Sequence, residues 1–326
     1  MTDQKVALLG ISNAIVDVLC HVEPAFIESL GAPPGSMTLI DRDQAVAIYD
    51  RMGPATESAG GSVANSVAVF ASLGGSAAYI GRVADDQLGN IFDHDMRSLD
   101  VSMRLPPETR AAPTARCHVL ITADGERTMQ TYLGACVEIA VDDITPATIG
   151  APEVILLEGY VWDTPEGPAA LAKAIELGKA SGARIALSLS DSFCVERHAE
   201  TFRALAHGAA DIIIGNEAET LALFGVDSAA AAIDAAKANG RLFVMTRSGA
   251  GSVIIDGDRV HEQQADRVEQ VLDSTGAGDA YVAGFLYGLT HGFSHGDSAA
   301  LATRAAALSI QQVGARPAPQ ALKALL

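Results

Sequence analysis

Basic side chains are scarce in this sequence. It carries 22 Lys and Arg against 40 Asp and Glu over 326 residues, a formal net charge of −18. So acidic a chain repels polyanions, which excludes a general nucleic-acid or anionic-membrane binder, since both need basic patches. A small anion such as ATP would have to be held by backbone N–H groups and a metal. Cysteine is sparse too: Cys20, Cys117, Cys136 and Cys194 lack paired-ligand spacing, which argues against zinc. No apolar run approaches the length that spans a bilayer, and no secretory apolar core follows Met1-Thr2-Asp3-Gln4-Lys5. Reduced thiols and a cytoplasmic location are therefore expected. What the chain does have is apolar bulk, 49% hydrophobic, enough for a large core.

Short apolar runs alternate with helical patterns. Strands are predicted at 6–10, 77–81, 154–157, 185–189, 211–214 and 243–246. Helices are predicted at 65–73, 87–99, 165–181, 196–207 and 228–239, with a last one closing near Ala315 before Pro317-Ala318-Pro319. Such alternation implies crossover units and an α/β fold with a mostly parallel sheet covered on both faces, where ligands bind beyond the carboxyl ends of the strands. One stretch breaks the rhythm. Extended runs at 114–122 and 127–133 flank Ala123-Asp124-Gly125-Glu126, a hairpin signal, and predict a small separate sheet of the kind that forms lids.

The most informative segment is Asp273-Ser274-Thr275-Gly276-Ala277-Gly278-Asp279, followed at once by the apolar run 280–286. A glycine turn opening a helix offers free N–H groups and a favourable dipole to an anion. Gly276 and Gly278 let the backbone approach it, and Asp279 stands beside it as a base for an attacking hydroxyl. A plain helix cap needs neither two close glycines nor an acid six residues upstream.

Three further segments carry polar groups in useful places. Gly60, Gly61 and Asn65 precede a helix and suit a polyhydroxyl ligand, although an Asn cap explains Asn65 as well. Asn13 and Asp17 follow the first strand; Asp17 lies in an apolar run and either finds buried partners or faces solvent at a strand end. Asn216 and Glu219 share a helix face after a strand, as a hydrated magnesium ion or an ordinary helix cap would have them. Two other patterns are set aside: Gly292–Gly296 follows a helix where a hydrolase elbow would follow a strand, and Asp93-His94-Asp95 reads as an exposed helix face.

Together these segments resemble the ribokinase-like (PfkB) carbohydrate kinase family. Gly60-Gly61-Ser62-x-x-Asn65, with Leu73-Gly74-Gly75 and Ile80-Gly81-x-Val83-x-x-Asp86-x-x-Gly89, is similar to its N-terminal signature. Residues 273–279 resemble its C-terminal one, and Asn216-x-x-Glu219 its magnesium motif. The residues 10–18, 60–65 and Pro113-Thr114-x-x-Cys117 look most like the adenosine kinases within it. The resemblance implies a single three-layer α/β/α kinase domain over 1–326 with lid segments at about 12–43 and 110–136. It implies Asp279 as base, Gly276, Ala277 and Gly278 as the anion hole, and Asp17, Gly61 and Asn65 on ribose hydroxyls, beside Asn13 and Gly60. Asn216 and Glu219 would position water-bound Mg2+; Asp273 and Thr275, with the chain near Gly314, would hold an activating monovalent cation such as K+. Thr246 and Gly251 would touch ATP in a Thr-x-Gly-x-x-Gly loop whose first glycine is here Ser248, and Arg116 stands on the lid strand where the family carries something small. The expected reaction is ATP-dependent phosphorylation of a nucleoside 5′-hydroxyl, adenosine first. A sugar kinase and a non-catalytic binding regulator are the alternatives, and either a monomer or a homodimer fits. Phe193 is a candidate for stacking on the base.

Overall fold

Strands Leu8–Ile11 and Val154–Glu158 are buried at every position, as central strands of a sheet covered on both faces must be. In the computed structural model, which describes residues 5–326, they are neighbours in a nine-stranded sheet. From one edge its order is Arg259–Gln263, Ser252–Asp256, Leu242–Thr246, Ile212–Asn216, Arg184–Ser188, Val154–Glu158, Leu8–Ile11, Ala77–Ile80 and Ser102–Met103. All pairings are parallel except the two at the Arg259–Gln263 edge. Of the N-terminal segment read above, residues 1–4 lie outside the described residues.

Strand alternation sends successive side chains into two separate cores. Leu8, Leu156, Ile212 and Val244 pack with helices Ser62–Ser72, Ala277–Thr290 and His295–Ser309. Leu9, Ile155, Ile213 and Phe243 pack with Gly167–Ala180, Ala199–His207 and Ala229–Asn239 on the opposite face. The result is a three-layer α/β/α fold. The strand order reverses between Leu8–Ile11 and Val154–Glu158, so a crevice opens beyond their carboxyl ends.

A second sheet of five strands grows out of that crevice: Met37–Leu39, Arg127–Tyr132, Ala115–Ile121, Ile15–His21 and Thr56–Gly60. The predicted hairpin supplies its centre, and Thr56–Gly60 joins it from outside the two segments named above.

Several boundaries differ from expectation. The helix predicted from 65 starts at Ser62 with Gly61 as its cap, because Gly61 (φ 89°) cannot continue the strand or enter the helix. Asn65 is therefore inside the first turns and not a cap. The strand predicted to stop at 214 runs to Asn216, since its backbone keeps pairing with Met245 and Thr246 after its apolar side chains end. The helix at 196–207 is two, Ser192–Arg197 and Ala199–His207, broken at His198, whose ring bonds Asp163. The last long helix ends at Ser309, and a short one follows at Pro319–Lys323.

Candidate active site

Two cavities meet at the turn between Ser274 and Asp279. One, of about 850 Å³, lies between the carboxyl end of the large sheet and the small sheet; its wall includes Asp17, Gly61, Asn65, Thr275 and Asp279. The other, of about 410 Å³, lies on the far side of the turn and is lined by Thr246, Gly251, Ala277 and Gly278 among others. Gly276 caps helix Ala277–Thr290 in the left-handed conformation (φ 75°). The N–H groups of Gly276 and Gly278 have no protein acceptor among the described residues, whereas that of Ala277 turns back to the Ser274 carbonyl at 3.3 Å. The anion cradle thus has two free donors from the three expected, at the positive end of a 14-residue helix.

Asp279 projects from the first turn of that helix. Its Oδ1 accepts from Ser62 Oγ (2.7 Å) and its Oδ2 from Asn65 Nδ2 (3.0 Å). Burial pushes its carboxyl up to about 6, against those two hydrogen bonds and the nearby Arg316 charge, which pull it down. Burial raises Asp17 to about 6 as well, with Asp279 adding to the rise and Arg316 and Arg127 opposing it. Beneath both, Glu158 is buried to 1% exposure and accepts from the N–H groups of Asn13 (2.9 Å) and Val63 (3.3 Å); burial lifts it to about 7. An Asp near 6 is mostly ionised at neutral pH yet basic enough to take a hydroxyl proton.

The other expected residues fall into three places. Asn13 and Gly60 sit behind the cavity wall: Asn13 tethers to Glu158, and a Cβ at Gly60 would fall on the Asp17 carboxylate. Asn216 and Glu219 line neither cavity, although Asn216 pairs in register with Thr246, which does. Asp273 is buried just before the turn. Strand alternation turns Arg116 away from the cavity, since its neighbours Cys117, Val119 and Ile121 face in. Phe193 is 70% exposed and lines neither cavity.

Sequence reasoning missed several wall residues: Ser62, Asp95, Arg127, Tyr160 and Arg316, besides the buried Glu158. For Asp95 a signal existed. It lies three residues from buried Phe92 on helix Gln87–Ser98 and so shares its face, where its Oδ2 accepts from the Ala59 N–H at 2.9 Å. The exposed-face reading of 93–95 holds only for His94. Away from both cavities, Asp163, Cys194 and His198 bring ligand atoms within 4.8 Å of one another, but Asp163 is already paired with Arg197 (2.5 Å) and His198 (2.7 Å).

A family model described as pfkB family carbohydrate kinase matches residues 35–321. The chain belongs to this family. It is therefore a phosphotransferase with an alcohol group as acceptor, and membership implies ATP as donor. Among solved structures, this kinase is 42% identical to the adenosine kinase from Sinorhizobium meliloti, with TM-score 0.90 over 98% of each chain. It is 39% identical to a probable sugar kinase from Rhizobium etli CFN 42, also at TM-score 0.90, over 98% of this chain and 97% of that one. Adenosine kinase 1 of Arabidopsis thaliana is 26% identical over 310 residues, 87% of this chain and 88% of the relative.

The ion sites expected of this kinase differ in how well their residues fit. Asn216 and Glu219 form a reciprocal helix cap, with Asn216 Nδ2 donating to Glu219 Oε1 at 2.6 Å. Burial raises Glu219 to about 7, the Asn216 N–H lowers it and Asp191 raises it, and among the described residues no basic side chain is paired with the Glu219 or Asp191 carboxylate. Hard oxygen donors lacking a counter-charge suit a hydrated Mg2+. Asp273 is different. Its oxygens accept from the N–H groups of Thr275 (2.9 Å) and Gly314 (2.7 Å), and Arg127 Nη2 pairs with it at 2.5 Å. With the guanidinium already there, the Asp273 carboxylate does not fit a second cation.

In the smaller cavity Ser248 adopts φ 49°, the left-handed conformation that the family's glycine would take. The loop is therefore kept in shape at a conformational cost. Ser248→Gly is expected to raise stability by about 0.5–1 kcal/mol, the αL penalty less the extra chain entropy of glycine. The denaturant midpoint measures it.

Proposed function

We propose that this kinase transfers the γ-phosphoryl group of ATP to the primary 5′-hydroxyl of a nucleoside, adenosine before others, in the cytoplasm. The observation that carries the reading is the apolar wall beside the Asp17 carboxylate. Ile15, Leu19, Val119, Ile121 and Met129 line the larger cavity together with Asp17 and Tyr160. A sugar alone has nothing to place against that wall, whereas a flat base does. The kinase named for adenosine in Sinorhizobium meliloti supports the same choice.

In this reading Asp17 accepts from ribose hydroxyls and the 5′-hydroxyl points at Asp279. Asp279 takes the hydroxyl proton while the oxygen attacks the γ-phosphorus across the turn, from one cavity to the other, as the bond to the β,γ-bridging oxygen breaks and ADP leaves in line. The free N–H groups of Gly276 and Gly278 receive the charge on the phosphoryl oxygens. Mg2+ near Asn216 and Glu219 would supply neutralisation of the polyphosphate. The five-stranded sheet acts as the lid: Arg127 on its hairpin reaches Thr275 Oγ1 (3.1 Å) and Asp273, so closure excludes water at the turn itself.

The test is coupled ADP release across nucleosides and sugars, with and without K+. Adenosine is expected to exceed ribose and fructose in kcat/KM by about tenfold or more, the discrimination a contacted apolar group provides, and K+ to make little difference. A sugar as preferred acceptor would overturn the nucleoside reading in favour of the second one, which the Rhizobium etli probable sugar kinase supports. No ADP release with any acceptor would favour a binding regulator.

A further inference from the structure

Arg316 takes no direct part in the proton or phosphoryl transfer, yet it stands in the wall of the larger cavity. Its Nε donates to Asn65 Oδ1 at 2.8 Å, across 251 residues of chain, and its Nη2 is enclosed with no partner among the described residues. Asn65 in turn donates from Nδ2 to Asp279. We propose that Arg316 is a positioning residue for phosphoryl transfer, whose donor-only guanidinium locks the Asn65 amide so that Asn65 always presents N–H to Asp279.

The argument is one of donor and acceptor inventory. An Asn amide has an acceptor end and a donor end, and either can face a given neighbour. Arginine has donors only and stays charged, so whatever faces it must be the oxygen. An ionised carboxylate accepts only, so whatever faces it must be the N–H. Between Arg316 and Asp279 the amide has a single satisfactory orientation. Without Arg316 the amide is free to turn its oxygen toward the carboxylate, which favours the protonated form of the base.

Two observations tie Arg316 to the same turn as its target. Gly314 N–H, two residues before Arg316, donates to Asp273 Oδ2 at 2.7 Å. Ser309 Oγ bonds the Thr275 carbonyl at 3.2 Å, joining the preceding helix to the turn. Asp279 is faced by Ser62 and Asn65 from helix Ser62–Ser72, by Asp17 from the small sheet, by Glu158 from the central strand and by Arg316. Arg127 faces Asp17 beside it. Only Arg316 among these brings both positive charge and a link through Asn65.

This inference rests on Asp279 being the base, and the experiment uses whichever acceptor the wild type phosphorylates. The acid limb of kcat/KM is compared for wild type, Arg316→Met and Arg316→Lys, along with binding of a fluorescent ATP analogue at the other cavity. Arg316→Met is expected to move the acid limb up by about one pH unit, the lower end of what a lost adjacent opposite charge does, and to lower kcat about tenfold. Arg316→Lys keeps a charged donor and should recover most of the limb's position, with analogue binding unchanged in both. An unmoved limb in Arg316→Met, or no recovery by Arg316→Lys, overturns the proposal. So does loss of analogue binding in Arg316→Met, which would mean the loop had collapsed. Near-normal turnover of Asp279→Asn would instead remove the base reading itself.

Discussion

Asp279→Asn is expected to lower kcat by about 10²–10⁴-fold, the usual contribution of a positioned general base, with nucleotide binding at the other cavity preserved. The substitution is nearly isosteric, so Ser62 and Asn65 keep a partner of the same shape. It removes the charge and the capacity to take a proton, and the new amide can keep its oxygen toward Asn65 Nδ2 while its NH2 donates to Ser62 Oγ, a hydroxyl that can also accept. The pH profile supplies an independent check. Burial has raised this carboxyl from 3.8 to about 6, and the active form is the deprotonated one, so wild-type kcat/KM should be level above pH 6 and fall about tenfold per unit below it. The sign for stability runs the opposite way. A carboxyl whose folded pKa is raised contributes stability that is fully present below its unfolded pKa and lost as pH rises through about 6. Near neutrality the fold therefore holds this charge at a cost, and Asp279→Asn should unfold at a higher temperature than the wild type while being far less active. Steady-state kinetics and thermal melts at pH 5 and 7.5 measure both halves. Turnover near that of the wild type would remove Asp279 from the mechanism.

Local patterns made part of this molecule legible and left the rest dark for identifiable reasons. Buried parallel strands announce themselves as unbroken apolar runs, so Val154–Glu158, Arg184–Ser188 and Leu242–Thr246 were visible to within a residue or two. Thr56–Gly60 was not, because TESAG has no apolar alternation and only Thr56 as a β-branched residue; its partner Ile15–His21 makes it a strand. The anion turn and the glycines beside Asp17 are read from backbone requirements that lie within seven residues of one another. Arg316, Arg127 and Glu158 have no such local signature. Each is an ordinary charged residue in its own segment and becomes part of the site only when the fold brings distant segments together, as with Arg316 on Asn65 and Arg127 on Asp273. Asn216 and Glu219 show the reverse difficulty: their spacing was visible, but it satisfies a helix cap and a metal motif equally.

Gly276→Ala is expected to lower kcat by about 10²-fold or more, the cost of losing aligned oxyanion donors, and to destabilise the fold as well. The φ of 75° at this residue costs any other L-residue about 1–2 kcal/mol. Strain is the smaller problem. A Cβ here would fall on the backbone of Ala315, including its carbonyl oxygen, and backbone cannot swing aside as a side chain can. Either the start of helix Ala277–Thr290 moves, taking the Gly278 N–H and Asp279 with it, or the loop at 314–316 moves and withdraws Arg316 from Asn65. Both routes damage catalysis before the acceptor is touched. Gly278→Ala separates geometry from mere bulk. A Cβ at Gly278 meets nothing within 4 Å, and alanine favours a helical position over glycine by about 0.5–1 kcal/mol, so that variant should melt no lower than the wild type. Its methyl group would point into the open space through which a phosphate approaches the cradle, so its kcat should fall without the loss of stability. Thermal melts and kcat for the pair discriminate: if Gly276→Ala keeps its activity, the donors at this turn are not those that hold the transferring phosphoryl group.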